Sequence, residues 1–476
     1  MGQFEVGARR GNAPVRVSQT TTVVGFLLSV TFALLGPGAA AQVSIVFNRT
    51  GSGARAAGMA NAFIAISDDG TAASWNPAGL GQLRKPELSL VASTVGRAVD
   101  SEGFRTLDGT SLFTNIPTSY QSTHLDFASL AVPVTLWKKP VTFQGGWYRL
   151  YTLDYRDVAS TTRLPVTPGA PPPVRIDSNI DLVGGVDLIS IAGAVKLTPR
   201  LALGGSFNFW RGDWDENDVF SSTLVEGQAP SSFATTSNSN RVRGTNVNLG
   251  LMLTYPRFSA GIVYQSPLHS DYTVHSEDTS SQAPAPAPID FAGSLRFPQA
   301  VGFGGAWRPT SRWTAALDLT WDNWHEATIE SPETGRLNLF DGLPQALTTT
   351  RNTLSVNAGA EHLFLGEGFV VPLRFGAAWE PQGARNPYTR DPVNFVMLAL
   401  GTGYNTNSLK FDAALQYRWA HFQDGDNFSP TGHSLAPPLA VGERDVSEWR
   451  LKFSLILRVT DTEKLHRTLG KVFGGG

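Results

Sequence analysis

The chain has 476 residues, with 38 Lys and Arg against 40 Asp and Glu, a formal charge of −2, and 16% charged residues overall. That balance excludes a basic nucleic-acid binder and a highly charged disordered chain. Cysteine is absent, which excludes disulfide frameworks, thiolate metal sites and cysteine nucleophiles, while 48 Gly, 30 Pro and 12 Trp favour strands and turns over long helices. Residues 1–41 have the three parts of a secretory signal peptide: Arg9, Arg10 and Arg16, an apolar run Val23 to Leu35, and Ala39-Ala40-Ala41 before Gln42. The apolar run is shorter than the roughly 20 residues that a spanning helix needs. Its removal leaves 35 basic against 39 acidic residues, a formal charge of −4, in residues 42–476.

Residues 42–86 do not alternate. Small residues dominate from Gly51 to Leu80, and so compact a segment ahead of the first strand is expected to plug a lumen. From Glu87 onward the pattern changes to a period of two. Trp449, Leu451, Phe453, Leu455 and Leu457 alternate with Arg450, Lys452, Ser454, Ile456 and Arg458, and the same split recurs at 409–419, 371–380 and 313–322. Successive strand side chains point to opposite faces, so these segments suit lipid on one side and a polar lumen on the other. Fourteen such segments are expected, near 87–96, 121–137, 140–157, 177–197, 200–214, 241–255, 257–275, 291–309, 311–328, 351–364, 369–381, 393–405, 408–422 and 446–459. The apolar phase slips near Ala131, and Gly184-Gly185 could split one strand into two.

The connections alternate between short turns, such as Lys138-Lys139 and Pro309-Thr310, and long loops, such as 97–120, 158–176, 215–240, 329–350 and 423–445. An antiparallel meander through an outer membrane has short periplasmic turns and long outer loops, which puts both termini in the periplasm. Aromatic residues crowd the strand ends, among them Trp137, Trp210, Trp214, Tyr255, Trp307, Trp313, Trp324, Trp379, Trp419 and Trp449, as interfacial girdles require. The expectation is an all-β, 14-stranded antiparallel transmembrane β-barrel spanning 87–459, with an N-terminal hatch at 42–86 inside the lumen and a periplasmic tail at 460–476.

The hatch carries a specific motif. Gly53-Ala54-Arg55-Ala56 to Met59, closing on Asn76-Pro77-Ala78-Gly79-Leu80, resembles the hatch of FadL-type outer-membrane transporters of long-chain fatty acids and aromatic hydrocarbons. Phe297 to Gly304 and Trp307-Arg308-Pro309-Thr310 resemble that family's mid-barrel hairpin. The resemblance implies a fourteen-stranded barrel whose ligand leaves sideways into the bilayer through an opening at a kinked third strand. It also makes Asn76, Pro77, Ala78 and Gly79 the hatch motif, with the task of holding the plug in shape. Gly145-Gly146, in the third segment, either flank that exit or relieve crowding against the plug. The chain departs from the family in continuing past its last strand, from Thr460 to Gly476.

A fatty acid needs an apolar pocket and a cationic donor for its carboxylate. By strand parity the lumenal candidates are Arg374, Lys410, Arg418, Arg450 and Lys452, joined by Arg55 of the hatch, and each could instead pair with a lumenal acid such as Asp318, Asp322, Glu361, Glu380 or Asp412. Metalloprotease, phosphate-loop and nucleophile-elbow signatures are missing, and Asp213, Asp215 and Asn217 mimic only half a calcium loop, which reads as a solvated outer loop. The function expected is diffusion-driven uptake of hydrophobic compounds across a Gram-negative outer membrane, with no catalysis, cofactor or metal. The partners expected are a hydrophobic small-molecule ligand, outer-membrane lipid and the barrel assembly machinery, with no nucleic acid, around a monomer. A secretion-shuttle or scaffold barrel is the alternative, and an outer-membrane lipid hydrolase a remoter one.

Overall fold

The structure is a computed structural model that describes residues 51–459, apart from 107–110, 115–117, 137, 164–173, 225–231, 282–283, 333, 386–390 and 427–439. The expected signal peptide, the first residues of the expected hatch and the expected C-terminal tail lie outside the described residues.

Fourteen strands form a closed antiparallel barrel. They are β1 (Glu87–Thr106), β2 (Thr118–Leu136), β3 (Lys139–Thr152 and Tyr155–Arg163), β4 (Val174–Lys196) and β5 (Leu201–Leu224). Next come β6 (Ser232–Thr254), β7 (Phe258–Gln265 and Leu268–Ser280), β8 (Ile289–Phe297 and Ala300–Trp307) and β9 (Trp313–Asp322 and Thr328–Ser331). The last five are β10 (Thr353–Leu365), β11 (Val370–Arg385), β12 (Pro392–Asn405), β13 (Leu409–Asp426) and β14 (Ala440–Arg458). Each pairs with its chain neighbours, and β14 returns to β1 in a ladder from Glu87 opposite Arg458 to Thr106 opposite Ala440. Closure leaves the sheet without an outer edge, the condition for strands to cross hydrocarbon.

The alternation produces an inverted molecule. Leu398, Leu400, Phe411, Leu415, Phe453 and Leu457 are exposed on the outer wall, whereas Asn208, Asp412, Gln416, Lys452 and Ser454 are buried inside. In water that distribution would forfeit the hydrophobic effect on every strand; in lipid it satisfies both solvents. Among the described residues no helix is long and apolar enough to cross a membrane.

Several expectations are corrected. The loops at 97–120 and 215–240 are shorter than the sequence pattern suggests, because β1, β5 and β6 run on beyond the apolar band. Asp213, Asp215 and Asn217 therefore lie on β5: Arg243 donates to both oxygens of Asp213, Ser239 to Asp215 and Ser237 to Asn217 across the β5–β6 ladder. With polar residues on both faces, no alternation marks that extension. The phase slip sits at Asp126, where Val91 pairs with Phe127 and Ala92 with Leu125, leaving one residue over in a bulge. Gly184-Gly185 do not divide β4, which is continuous. Trp210 and Trp324 are buried in the lumen, and only part of the aromatic set, including Trp307, Trp313, Trp379, Trp419 and Trp449, is exposed on the outer wall.

The hatch fills the lumen at the short-turn end. It consists of a single helical turn, α1 (Ala54–Gly58), and two 3-10 turns, Ala72–Ser74 and Pro77–Gln82, joined by coil. Inward-facing wall glycines make room for it. A Cβ at Gly250 would lie 2.1 Å from Asn76 Oδ1, one at Gly204 2.4 Å from Ala78 N, and ones at Gly359 and Gly376 2.5 Å from the Met59 backbone. Gly145, by contrast, points outward with nothing within 4 Å. Gly250→Val and Gly359→Val should each destabilise the barrel-hatch assembly by about 1–3 kcal/mol through overpacking, whereas Gly145→Ala should change it by less than about 0.5 kcal/mol. The check is the temperature at which the folded, fast-migrating form is lost on detergent gels.

Candidate functional site

The hatch is coil for most of its length, so its backbone needs partners, and the wall supplies them. The Asp318 carboxylate accepts from Phe63 N at 2.6 Å and Ile64 N at 2.7 Å. Asn357, Gln416 and Ser259 donate to the carbonyls of Ala60, Ala57 and Ala65 at 2.8, 3.1 and 2.8 Å. Gly70 is held by both its groups, its N–H on Glu87 at 2.7 Å and its carbonyl on Ser129 and Gln144.

The expected hatch motif is one of these fixings. Asn76 caps the second 3-10 turn by accepting from Ala78 N, and its amide donates to Ile64 O at 3.2 Å and to Leu251 O of β6 at 3.1 Å. Pro77 opens that turn, where its missing N–H costs nothing. Ala78 packs on Ala202 and Met252 of the wall, and Gly79 lies so close to Ser67 that a Cβ would fall 1.9 Å from its carbonyl oxygen. All four residues are buried in packing between hatch and wall.

The cationic candidates fall into three groups, all at carboxylates. Arg55 donates to Glu361 and Asp68, and fully buried Arg374 donates to Glu361 at 2.7 Å and Asp412 at 2.8 Å, which ties the hatch to β10, β11 and β13. Lys410 lines the cavity of about 510 Å³ below this network, together with Arg55, Asp68 and Arg458. Higher in the lumen Glu448 takes Arg97 at 2.6 Å, Arg418 at 2.8 Å and Arg450 at 3.2 Å, with Glu380 3.7 Å from Arg418. Lys452 pairs with Asp126 at 3.2 Å. Three guanidiniums thus meet two carboxylates at mid-barrel. Arg97 was missed because the sequence pattern ended β1 at Gly96; counting parity on from Val91 and Val95 would have placed it inside.

Above the charges the lumen turns apolar, opposite to what a water-filled pore has. Phe395, with the Arg418 guanidinium 5.4 Å from its ring, marks the change. Tyr151 stacks on Phe297 at 5.9 Å, Trp210 stands 5.6 Å from Phe297, Trp324 6.3 Å from Phe297, and Phe340 5.4 Å from Trp324. All five rings are at most 5% exposed and belong to one cluster with Leu188, Val242 and Ile329. Phe340 reaches the column because the connection after β9 folds inward, held by buried Asn338, which accepts from Phe340 N and Thr350.

Beside the column the wall ladder is incomplete. β2 pairs with β3 only from Phe127 opposite Tyr148 to Leu136 opposite Lys139, so among the described residues no ladder joins 118–126 to β3. β3 itself bulges at Leu150 and breaks at Leu153-Asp154. There Leu153 N donates to Gly184 O and Gly184 N to Asp154 Oδ1, with Gly184 at φ 134°, a backbone that only glycine adopts without strain. Side chains span the gap instead: His124 of β2 has Nε2 3.1 Å from Asp154 and Nδ1 3.5 Å from the Arg149 guanidinium, both on the β3 side. Gly145 and Gly146 are not at this break. Their ladders to Leu130 and Ser129 on one side and Ile191 and Ser190 on the other are unbroken, because a glycine pair in full register loses packing but no hydrogen bonds.

Comparison with protein-family models and with curated proteins finds no match in sequence. Solved structures do match. A FadL homologue from Pseudomonas aeruginosa superposes with a TM-score of 0.63 at 14% identity, covering 87% of this chain and 99% of that one. The toluene transporter TodX of P. putida gives 0.55 at 13% identity, and the toluene transporter TbuX of Ralstonia pickettii 0.52 at 16%, each covering 87% of this chain and 100% of that one. The chain therefore has the plugged-barrel fold of the FadL-type channels, the fold to which its hatch motif pointed.

Arg374→Ala would leave Asp412 buried without its cation and Glu361 with Arg55 alone, a loss of about 3–5 kcal/mol. Chemical unfolding in detergent should show it.

Proposed function

We propose that the chain is an outer-membrane channel through which hydrophobic small molecules diffuse inward, with its short-turn end in the periplasm. One observation carries this reading: the buried aromatic column in a lumen that the hatch closes from below. A pore for ions or sugars gains nothing from such a lining, whereas an apolar solute gains the transfer free energy of leaving water. That the solved barrels of the same fold include toluene transporters supports it.

The path enters between the long loops, follows the column, and leaves through the β2–β3 gap into the bilayer, since the hatch blocks the axial way. Arg97, Arg418 and Arg450 sit at the foot of the column, where a carboxylate head would join Glu448 and Glu380 among three guanidiniums while its tail stays among the rings. A long-chain fatty acid and an aromatic hydrocarbon both fit this description, the first by tail and head, the second by rings alone. The hatch motif then serves by holding the plug, and the chain works as a passive monomer without catalysis.

Cells carrying the chain should take up labelled oleate or toluene faster than cells lacking it, and sugar flux through the purified protein in liposomes would overturn the reading. The exit has its own test, because the chain has no native cysteine. Joining His124→Cys to Asp154→Cys with a short, reducible bis-thiosulfonate reagent should cut uptake at least tenfold and reduction should restore it; unchanged uptake with the bridge in place would put the exit elsewhere.

A further inference from the structure

The short-turn rim is divided by charge. The turns joining β2 to β3, β4 to β5, β6 to β7 and β8 to β9 carry Lys138, Lys139, Arg200, Arg257, Arg308 and Arg312 at 138–139, 197–200, 255–257 and 308–312, and no acidic residue. The turns joining β10 to β11 and β12 to β13 carry Glu367 and no basic residue. Arg308 turns inward to Ser259, but Arg200, Arg257 and Arg312 are exposed, and the Arg200 guanidinium lies 4.8 Å from the ring of Tyr255. Among the described residues none of these six is paired with a carboxylate.

On the same side, just above the rim, the lipid-facing wall is hollowed. A groove of about 710 Å³ crosses β7, β8 and β9, with Ala260 and Gly305 as its floor. Phe258 and Trp307 form one ridge and Phe303 the other, all more than half exposed. A Cβ on Gly305 would meet nothing within 4 Å, so the hollow is real space on the outer wall and not a site of crowding. Arg257 directly precedes Phe258 and Arg312 directly precedes Trp313, the first residue of β9, so both arginines sit in the chain at the groove's rim end.

An apolar trough open to hydrocarbon, with aromatic interfacial side chains and two arginines at headgroup level, matches one kind of molecule. We propose that it binds an anionic phospholipid of the leaflet that meets the short turns, one acyl chain over Gly305 between the ridges and the phosphate on Arg257 and Arg312. Basic residues next to a membrane favour lipids with net negative charge over zwitterionic ones, and the arginine fork suits a phosphate. The inference rests on the transmembrane reading and on the short-turn end facing a phospholipid leaflet, but not on what passes through the lumen.

The test uses the full mature chain, purified in mild detergent and offered phosphatidylglycerol or phosphatidylethanolamine of identical acyl composition, with retained lipid counted by native mass spectrometry. Phosphatidylglycerol should be retained at least tenfold over phosphatidylethanolamine. Arg257→Gln with Arg312→Gln should remove that preference, and Gly305→Trp, which fills the trough with both arginines in place, should lower retention to the same level. Ala260→Phe serves as a second filling variant, and heat-modifiable gel mobility confirms that each barrel is folded. Equal retention of the two lipids by the parent chain, or undiminished phosphatidylglycerol on a folded filling variant, overturns the proposal. Uptake measured alongside separates the two readings: a variant that loses lipid but still imports substrate leaves the channel intact, and a parent chain that retains lipid but imports nothing sinks only the channel.

Discussion

Hydrocarbon offers no hydrogen bonds, so every backbone N–H and C=O that crosses it must find a partner within the protein. The rest of this molecule follows from that constraint. It forces β14 back onto β1, turns the apolar strand faces outward, and leaves the polar faces enclosed, where they in turn must be satisfied. Arg374 between Glu361 and Asp412, and Glu448 among three arginines, are that requirement met by charge.

The hatch extends the same requirement into the lumen. Its coil would carry orphaned amides and carbonyls, and the wall answers with Asp318, Asn357, Gln416, Ser259 and Gln144, while Asn76 answers from the hatch itself. Much of the lumenal polarity at the short-turn end is thus spent on holding the plug. Among the described residues the far half holds only the inward fold after β9, which Asn338 and Asp341 serve, and is otherwise lined with rings. Polar below and apolar above are two consequences of where the hatch lies.

The β2–β3 gap is the exception to closure, and it has local causes. The bulge at Asp126, the bulge at Leu150 and the positive φ of Gly184 together carry β3 off its neighbour's register. Contacts of His124 with Asp154 and with Arg149 stand in for the missing ladder. Side-chain contacts can part and reform without disturbing the sheet, which a run of backbone hydrogen bonds cannot.

Strand number, the closed barrel, the lumenal parity of Arg374, Arg418, Arg450 and Lys452, and the presence of a hatch are legible in the residues alone, because each is written in a local period or a contiguous motif. The sequence was blind where the period lapses or where meaning lies in a meeting of distant residues. The extension of β5 through Asp213 and Asp215 has polar side chains on both faces, so no alternation announced it. Trp210 and Trp324 have the composition of a girdle, and only their phase relative to a closed wall places them in the lumen. Gly145-Gly146 looked like a kink because glycine weakens a strand, yet whether a strand bends depends on its neighbours' register, which two bulges elsewhere decided. The aromatic column, the Glu448 cluster and the outer groove at Gly305 each draw on three or more strands, and such coincidences exist only once the barrel is closed.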